Sequence, residues 1–290
     1  MTDDRVLFEV DADRRIATIT FNNPKQRNSY DAAMRDEIAR HLDTVADDDD
    51  ITVVLLRGAE GVFSTGADMN NAYGWYGEKE KESAPKKSRP SQRRRLTVDR
   101  KSFDFYHNFL GFPKVTVGEI SGYALGGGFE MALMTDISVI ARDTKIGMPA
   151  TRFLGPALGS LHMFFHRLGP VLARRMLLTG DIIEAGTVEH LGVFTDTCDA
   201  DKVAARAQYW AQKAAKMPAD GVVIAKEAFR WVEQSQAYQG EEVASYMFHA
   251  YGTNLQFSPG EFNFVKTRAQ HGTKEAFRLR DEHFHVPEPQ

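Results

Sequence analysis

Residues 121–136 read SGYALGGGFEMALMTD. Three consecutive glycines stand between a β-like apolar run and a second apolar stretch, and Glu130 follows two places after the last of them. A glycine inside an element costs about 0.5–1 kcal/mol against alanine, so three in a row demand a reason. The spacing excludes several. A phosphate-binding GxxxxGK[ST] loop needs a lysine that does not follow Gly127 or Gly128. The dinucleotide fingerprint GxGxxG fails because three other residues separate Gly122 from Gly126. In "GEISG" the serine, Ser121, comes one place too late for a GxSxG nucleophile elbow. What remains is either a tight turn or a glycine-lined helix start. The latter would present unpaired backbone N–H groups at the positive end of a helix dipole. Fixed N–H groups of that kind suit a developing oxyanion, which usually needs two of them. A second glycine turn, "FSTGADM", follows a strand-like run and offers the N–H of Ala67.

The surrounding pattern is that of an α/β protein. "RIATITFNNP" alternates as a strand should, after a shorter strand near Val6. Asn28 with Asp31 marks a helix start, and Met34, Ile38, Leu42 and Val45 follow at helical spacing. The acidic run from Asp47 to Asp50 reads as a solvated turn. "ITVVLLRG" is a continuous apolar run, as in a strand buried on both faces. "KVTVGEI" and "DISVIA" add strands on either side of the glycines. Beyond Ala200 strand signals stop, and "AARAQYWAQKAAKM", "IAKEAFRWVEQ", "EEVASYMFHAYGTNL" and "KEAFRLR" read as helices. The chain therefore divides into a core over residues 1–199 and a helical part over 200–290. Within the core, residues 73–101 are charged and poor in large apolar side chains, which predicts an exposed or mobile insertion.

Four stretches, in order, resemble the crotonase (enoyl-CoA hydratase/isomerase) superfamily. They are "NNPKQRNSYDAAM", "VVLLRGAEGVFSTGADM", "PKVTVGEISGYALGGGFEMALMTDISV" and "LLTGDIIEAGTVEHLGVF". The resemblance implies an α/β spiral of ββα units with a helical C-terminal trimerisation region. It also implies an acyl-CoA substrate whose thioester oxygen is held by two backbone N–H groups, here those of Ala67 and Gly127. Carried onto the same stretches, it implies substrate or CoA contacts at Arg27, Ser29, Thr65, Asp68 and Gly126. The adenosine end of CoA would meet Phe277 and Arg280 from a neighbouring subunit's last helix, which requires a homotrimer or a pair of trimers.

Glu130 falls on the first of two glutamates that hydratases of this family use on an enolate-like intermediate. A carboxylate there can move a proton or orient water. It would also complement the helix N-terminus, a contribution of about 0.3–1 kcal/mol. The second glutamate is missing: its place in "GMPATRFLGPALGS" falls at Pro149 or Ala150, and residues 144–180 contain no Asp or Glu. The resemblance implies an enoyl-CoA hydratase, converting 2-enoyl-CoA to 3-hydroxyacyl-CoA, or a related isomerase. The absent acid leaves open thioester hydrolysis, C–C cleavage or decarboxylation through the same enolate. Thr151, Arg152 and Tyr123 are further polar groups near that position, and Arg152 is equally suited to an ion pair.

Residues 86–101 hold eight lysines and arginines. A solvated charged loop is the first expectation for them, a CoA-phosphate contact the second. RNA binding by a non-catalytic relative is the third, disfavoured because no aromatic residue lies between Tyr76 and Phe103 and the net charge is −4. No metal-ligand cluster, nicotinamide fingerprint or flavin fingerprint is visible, so no cofactor is expected beyond the CoA of the substrate. The single cysteine, Cys198, sits among aspartates and points to a reducing, cytoplasmic setting. No apolar run reaches the roughly 18 residues of a membrane span, and the first residues lack a signal-peptide plan.

Overall fold

The computed structural model describes residues 3–71, 91–154, 160–252 and 257–287. Its main sheet has six strands in the order β1-β2-β3-β4-β6-β9. These are β1 (Val6–Asp11), β2 (Ile16–Phe21), β3 (Val53–Gly58), β4 (Val115–Ile120), β6 (Ile137–Ala141) and β9 (Asp196–Cys198). Only the β1–β2 hairpin is antiparallel; the pairs from β2 to β9 are parallel. A second sheet of three strands joins β5 (Tyr123–Leu125), β7 (Lys145–Gly147) and β8 (Ile182–Glu184).

Both faces of the main sheet are covered. On β3, Val54 and Leu56 enter the large core with Met34, Ile38, Leu42 and Val45 of α1 (Ala32–Ala46). Val53 and Leu55, pointing the other way, pack under Val203, Ala207 and Ala211 of α6 (Val203–Ala215). Side-chain alternation across a two-sided sheet explains why this strand has no polar face. The expected alternation of β2 and the helical spacing of α1 are present.

Two local expectations are corrected. Asn28 does not begin α1. It is buried in the left-handed region (φ 55°), and its amide donates to the carbonyls of Ala59 and Val62. The cap is Asp31, whose carboxylate accepts from the Met34 N–H. The basic stretch is not an exposed insertion throughout, because Ser91 caps a 19-residue helix, α2 (Gln92–Leu110), that buries Arg95, Val98 and Asp99. The remainder of that stretch, residues 73–90, lies outside the described residues. The helix α9 (Phe264–His271), preceding α10 (Thr273–His283), is an added element whose sequence carries no strong periodic signal.

The remaining helices are α3 (Gly127–Met134), α4 (Thr151–Leu154), α5 (Leu161–Thr179), α7 (Ala219–Glu233) and α8 (Gln239–Gly252). A partly buried ion pair ties α7 to the end of the glycine segment: Lys226 meets Asp136 at 2.5 Å. The same carboxylate accepts from the Thr116 N–H at 2.8 Å and from its hydroxyl at 3.0 Å.

Candidate active site

The two glycine turns are neighbours. The Ser64 N–H donates to the Tyr123 carbonyl and the Leu125 N–H to the Ser64 carbonyl, stitching the loop after β3 to β5. The Tyr30 N–H donates to the Gly66 carbonyl, and the Asp68 N–H to Tyr30, so the segment before α1 runs along the far side of the same loop. The Ser64 hydroxyl lies between them, donating to Asn28 at 2.7 Å and accepting from the Gly66 N–H at 3.1 Å. Gly66 has a φ of +85°, and a Cβ there would stand 2.7 Å from the Gly127 nitrogen. The N–H groups of Ala67 and Gly127 thus belong to loops in direct contact. Neither donates to an acceptor among the described residues.

Each member of the triple glycine has its own reason. Gly126 is the N-cap of α3, with φ 55° and ψ −127°, a region closed to other residues. A Cβ on Gly127 would overlap the hydroxyls of Tyr30 and Tyr106. A Cβ on Gly128 would overlap the Ser64 carbonyl. Close packing of backbone on backbone and on two phenols therefore requires the glycines. It also leaves the helix start open towards the Ala67 loop.

Glu130 lies one turn into α3 and is 5% exposed. Residues three apart share a helix face, and the Cα–Cβ bonds tilt towards the N-terminus, so Glu130 leans over the face that Gly127 presents. Tyr30 and Tyr106 occupy that face, their hydroxyls hydrogen-bonded to one another. Burial raises the pKa of both phenols well above its ordinary value, and the nearby charge of Glu130 raises them further. Neither tyrosine was singled out from sequence. Tyr106 does carry a signal, standing at helical spacing from the buried Phe103 and Phe109.

Of the other sequence candidates, Arg27, Ser29, Thr65, Asp68 and Gly126 all lie on these three segments. Arg27 adopts φ 51° and places its guanidinium 4.9 Å over the Tyr123 ring. Its carbonyl accepts from the Thr65 N–H at 3.1 Å and from the Thr65 hydroxyl at 3.2 Å. Ser29 is buried, with its hydroxyl 3.3 Å from the Gln26 side chain. Asp68 accepts from the N–H and amide of Asn70. Phe277 and Arg280 are held elsewhere: Phe277 packs on Phe264, and the buried Arg280 donates to Asp281 while lying over Phe277. Arg152 takes the ion-pair role, 3.5 Å from Asp281.

The turn at Pro149 and Ala150, where the resemblance expects a second acid, follows strand β7. Strand β7 pairs with β5, and the Gly147 carbonyl accepts from the Gly126 N–H at 2.9 Å. The next residues, Met148 and Ala150, pack into the large core beside this junction. Among the described residues no group of three or more His, Cys, Asp or Glu could hold a metal ion, and no helix is long and apolar enough to cross a membrane.

A sequence model of the family described as enoyl-CoA hydratase/isomerase matches residues 11–274. A probable enoyl-CoA hydratase of Mycobacterium tuberculosis is 28% identical over 93% of this chain and 98% of its own length. The 2,3-dehydroadipyl-CoA hydratase of Escherichia coli is 28% identical over 81% of this chain and 83% of its own. Among solved structures, an enoyl-CoA hydratase of Mycobacterium smegmatis superposes with a TM-score of 0.82 at 27% identity, covering 97% of this chain and 94% of that one. An enoyl-CoA hydratase/isomerase of Xanthobacter autotrophicus Py2 gives 0.82 at 26% identity, covering 98% and 100%.

Proposed function

The chain belongs to the enoyl-CoA hydratase/isomerase family, and on that premise we propose that it adds water to a 2-enoyl-CoA, giving a 3-hydroxyacyl-CoA. The observation that carries this reading is the contact between the Gly66–Ala67 turn and the start of α3, with Glu130 one turn further on. A thioester oxygen received by the Ala67 and Gly127 N–H groups would be polarised by donors already fixed in place. Electron density withdrawn towards that oxygen leaves the β-carbon electrophilic. Glu130 then takes a proton from water as the water oxygen bonds to the β-carbon, and the π electrons move onto the thioester as an enolate. The same carboxyl returns the proton to the α-carbon, so one water is consumed and the enzyme is regenerated. The chemistry is carried by protein groups and the thioester.

Arg27, Thr65 and Asp68 line the approach to the Ala67 turn and are the proposed CoA-side contacts. Self-association is supported by α7, on which Ile224, Phe229 and Trp231 are 69%, 59% and 73% exposed. The single cysteine supports a reducing, cytoplasmic setting.

Hydrolysis or C–C cleavage through the same enolate is the second reading, favoured by the apolar Met148–Ala150 turn where a second acid is absent. A panel of crotonyl-CoA, longer and branched enoyl-CoAs and a dehydroadipyl-CoA separates the two by product. A 3-hydroxyacyl-CoA with the thioester intact is the expected product. Release of free CoA, or of a shortened acyl-CoA, from any of them without a hydrated product would overturn the hydratase reading.

A further inference from the structure

Two distant parts of the chain hold the Ala67 turn. On one side the Tyr30 N–H donates to the Gly66 carbonyl, and the Asp68 N–H donates to the Tyr30 carbonyl. Past Asp68 the chain enters a short 3-10 helix, Met69–Asn71, where the N–H and amide of Asn70 return to the Asp68 carboxylate. A second long-range tie meets it there. Arg268, in the last turn of α9, donates from its guanidinium to the Met69 carbonyl, 199 residues away in sequence. A hydrogen bond from a charged donor is about twice as strong as one between neutral groups. The helix that carries Arg268 is itself fixed. Phe264 of α9 is buried against Phe277 of α10, their ring centres 5.0 Å apart, and Asp281 of α10 pairs with Arg152 of α4 at 3.5 Å. The α9–α10 pair thus reaches both the loop after Ala67 and the turn after Ala150.

We propose that Arg268 is a positioning residue of the oxyanion site, its hold on the Met69 carbonyl fixing the turn that aims the Ala67 N–H. This rests on the thioester reading above and adds a requirement to it: the C-terminal helices must be docked for the second donor to be in place. A donor polarises a carbonyl only while it is held in position, and a misplacement of about 1 Å can cost about a hundredfold in rate. The Gly127 N–H is aimed by α3, whose cap, Gly126, donates to the Gly147 carbonyl at 2.9 Å. The Ala67 turn differs. It contains Gly66 at φ +85°, lies outside the named helices and strands, and takes its direction from bonds to its neighbours. Arg268 makes or breaks no bond of the substrate; it acts through the backbone between Met69 and Ala67.

The test reads polarisation directly. A 2,4-hexadienoyl thioester absorbs at longer wavelength when its carbonyl oxygen accepts hydrogen bonds, so the red shift of 2,4-hexadienoyl-CoA on binding reports the two donors. The shift is measured in a Glu130→Gln background, and turnover of crotonyl-CoA in parallel with Glu130 intact. Arg268→Met is expected to reduce the shift by about half and kcat by about tenfold, with KM within about threefold. Arg268→Lys keeps a charged donor and should recover part of both. Arg278→Ala removes exposed ion pairs along α10 without reaching the loop, and should leave shift and kcat unaltered. Should Arg268→Met not fold, Arg268→Lys must itself show a smaller shift than its parent. A full shift in Arg268→Met, or an equal fall in Arg278→Ala, overturns the inference and leaves the thioester site standing. A ligand that fails to bind the Glu130→Gln protein, or binds it with no red shift, overturns the thioester reading, and the inference falls with it.

Discussion

At the scale of single residues, the triple glycine has a double cause that sequence shows only in part. The run marks a helix start stripped of side chains, and the proposed oxyanion role rests on that start together with the Ala67 turn. The phenols against Gly127 and the Ser64 carbonyl against Gly128 are not legible in the run, since they come from residues 21 to 97 positions away. Gly128→Ala forces a methyl into the Ser64 backbone, and we expect it to cost about 1–3 kcal/mol in denaturant unfolding. Gly221→Ala, on the outer turn of α7 with only Pro218 at 3.9 Å, should instead stabilise by about 0.5–1 kcal/mol. Equal effects at the two positions would show that the first is not held by close packing. Asn28 illustrates the opposite failure. Its residue type suits a helix cap, but tertiary acceptors at Ala59 and Val62 claim its amide and move the cap to Asp31.

At the scale of elements, strands and amphipathic helices with one dominant neighbour are readable, and α1 with β3 shows why: their burial follows sequence period directly. Helix α2 is not, because its first turns are arginines whose burial depends on partners elsewhere. The start of α1 carries a pH dependence. Arg5 holds Asp3 below the usual carboxylate range, and for Asp31 the same guanidinium together with the Met34 N–H outweighs the opposing effect of burial. Carboxylates depressed in the folded state contribute stability that is complete above a pH of about 4 and lost as pH falls through and below it. Asp31→Asn keeps the cap but not the charge. The wild type should therefore lose about 1 kcal/mol more than the variant between neutral pH and pH 3, discounted for partial exposure. Parallel stability–pH curves would contradict this. The link from α7 to the sheet is tested by Asp136→Ala, which strands Lys226 and two Thr116 donors; about 3 kcal/mol should be lost in urea unfolding. A loss under about 1 kcal/mol would mean the pair is idle.

At the scale of the whole molecule, four ordered motifs sufficed to indicate family and architecture, because a superfold's turns constrain residue types at fixed offsets. They could not indicate the phenols packed against Gly127, which depend on how α2 lies across α3. Within the chain, Arg280 is buried against Asp281, while Arg268 of α9 reaches the Met69 carbonyl beside the Ala67 turn. On the proposed self-association through α7, the wild type should run as an oligomer in light scattering and Ile224→Glu/Trp231→Glu should lower that mass. A monomeric wild type, or a mass unaltered by the two glutamates, would contradict association through this face. The central claim is that Glu130, beside two fixed N–H groups, is the group that moves protons on a bound enoyl thioester. Its most direct test follows the loss of conjugated thioester absorbance of crotonyl-CoA in wild type and Glu130→Gln, with binding of each measured in parallel. Turnover should fall by at least about 100-fold in the variant while affinity stays within a few-fold. Equal turnover in the two proteins would contradict the claim.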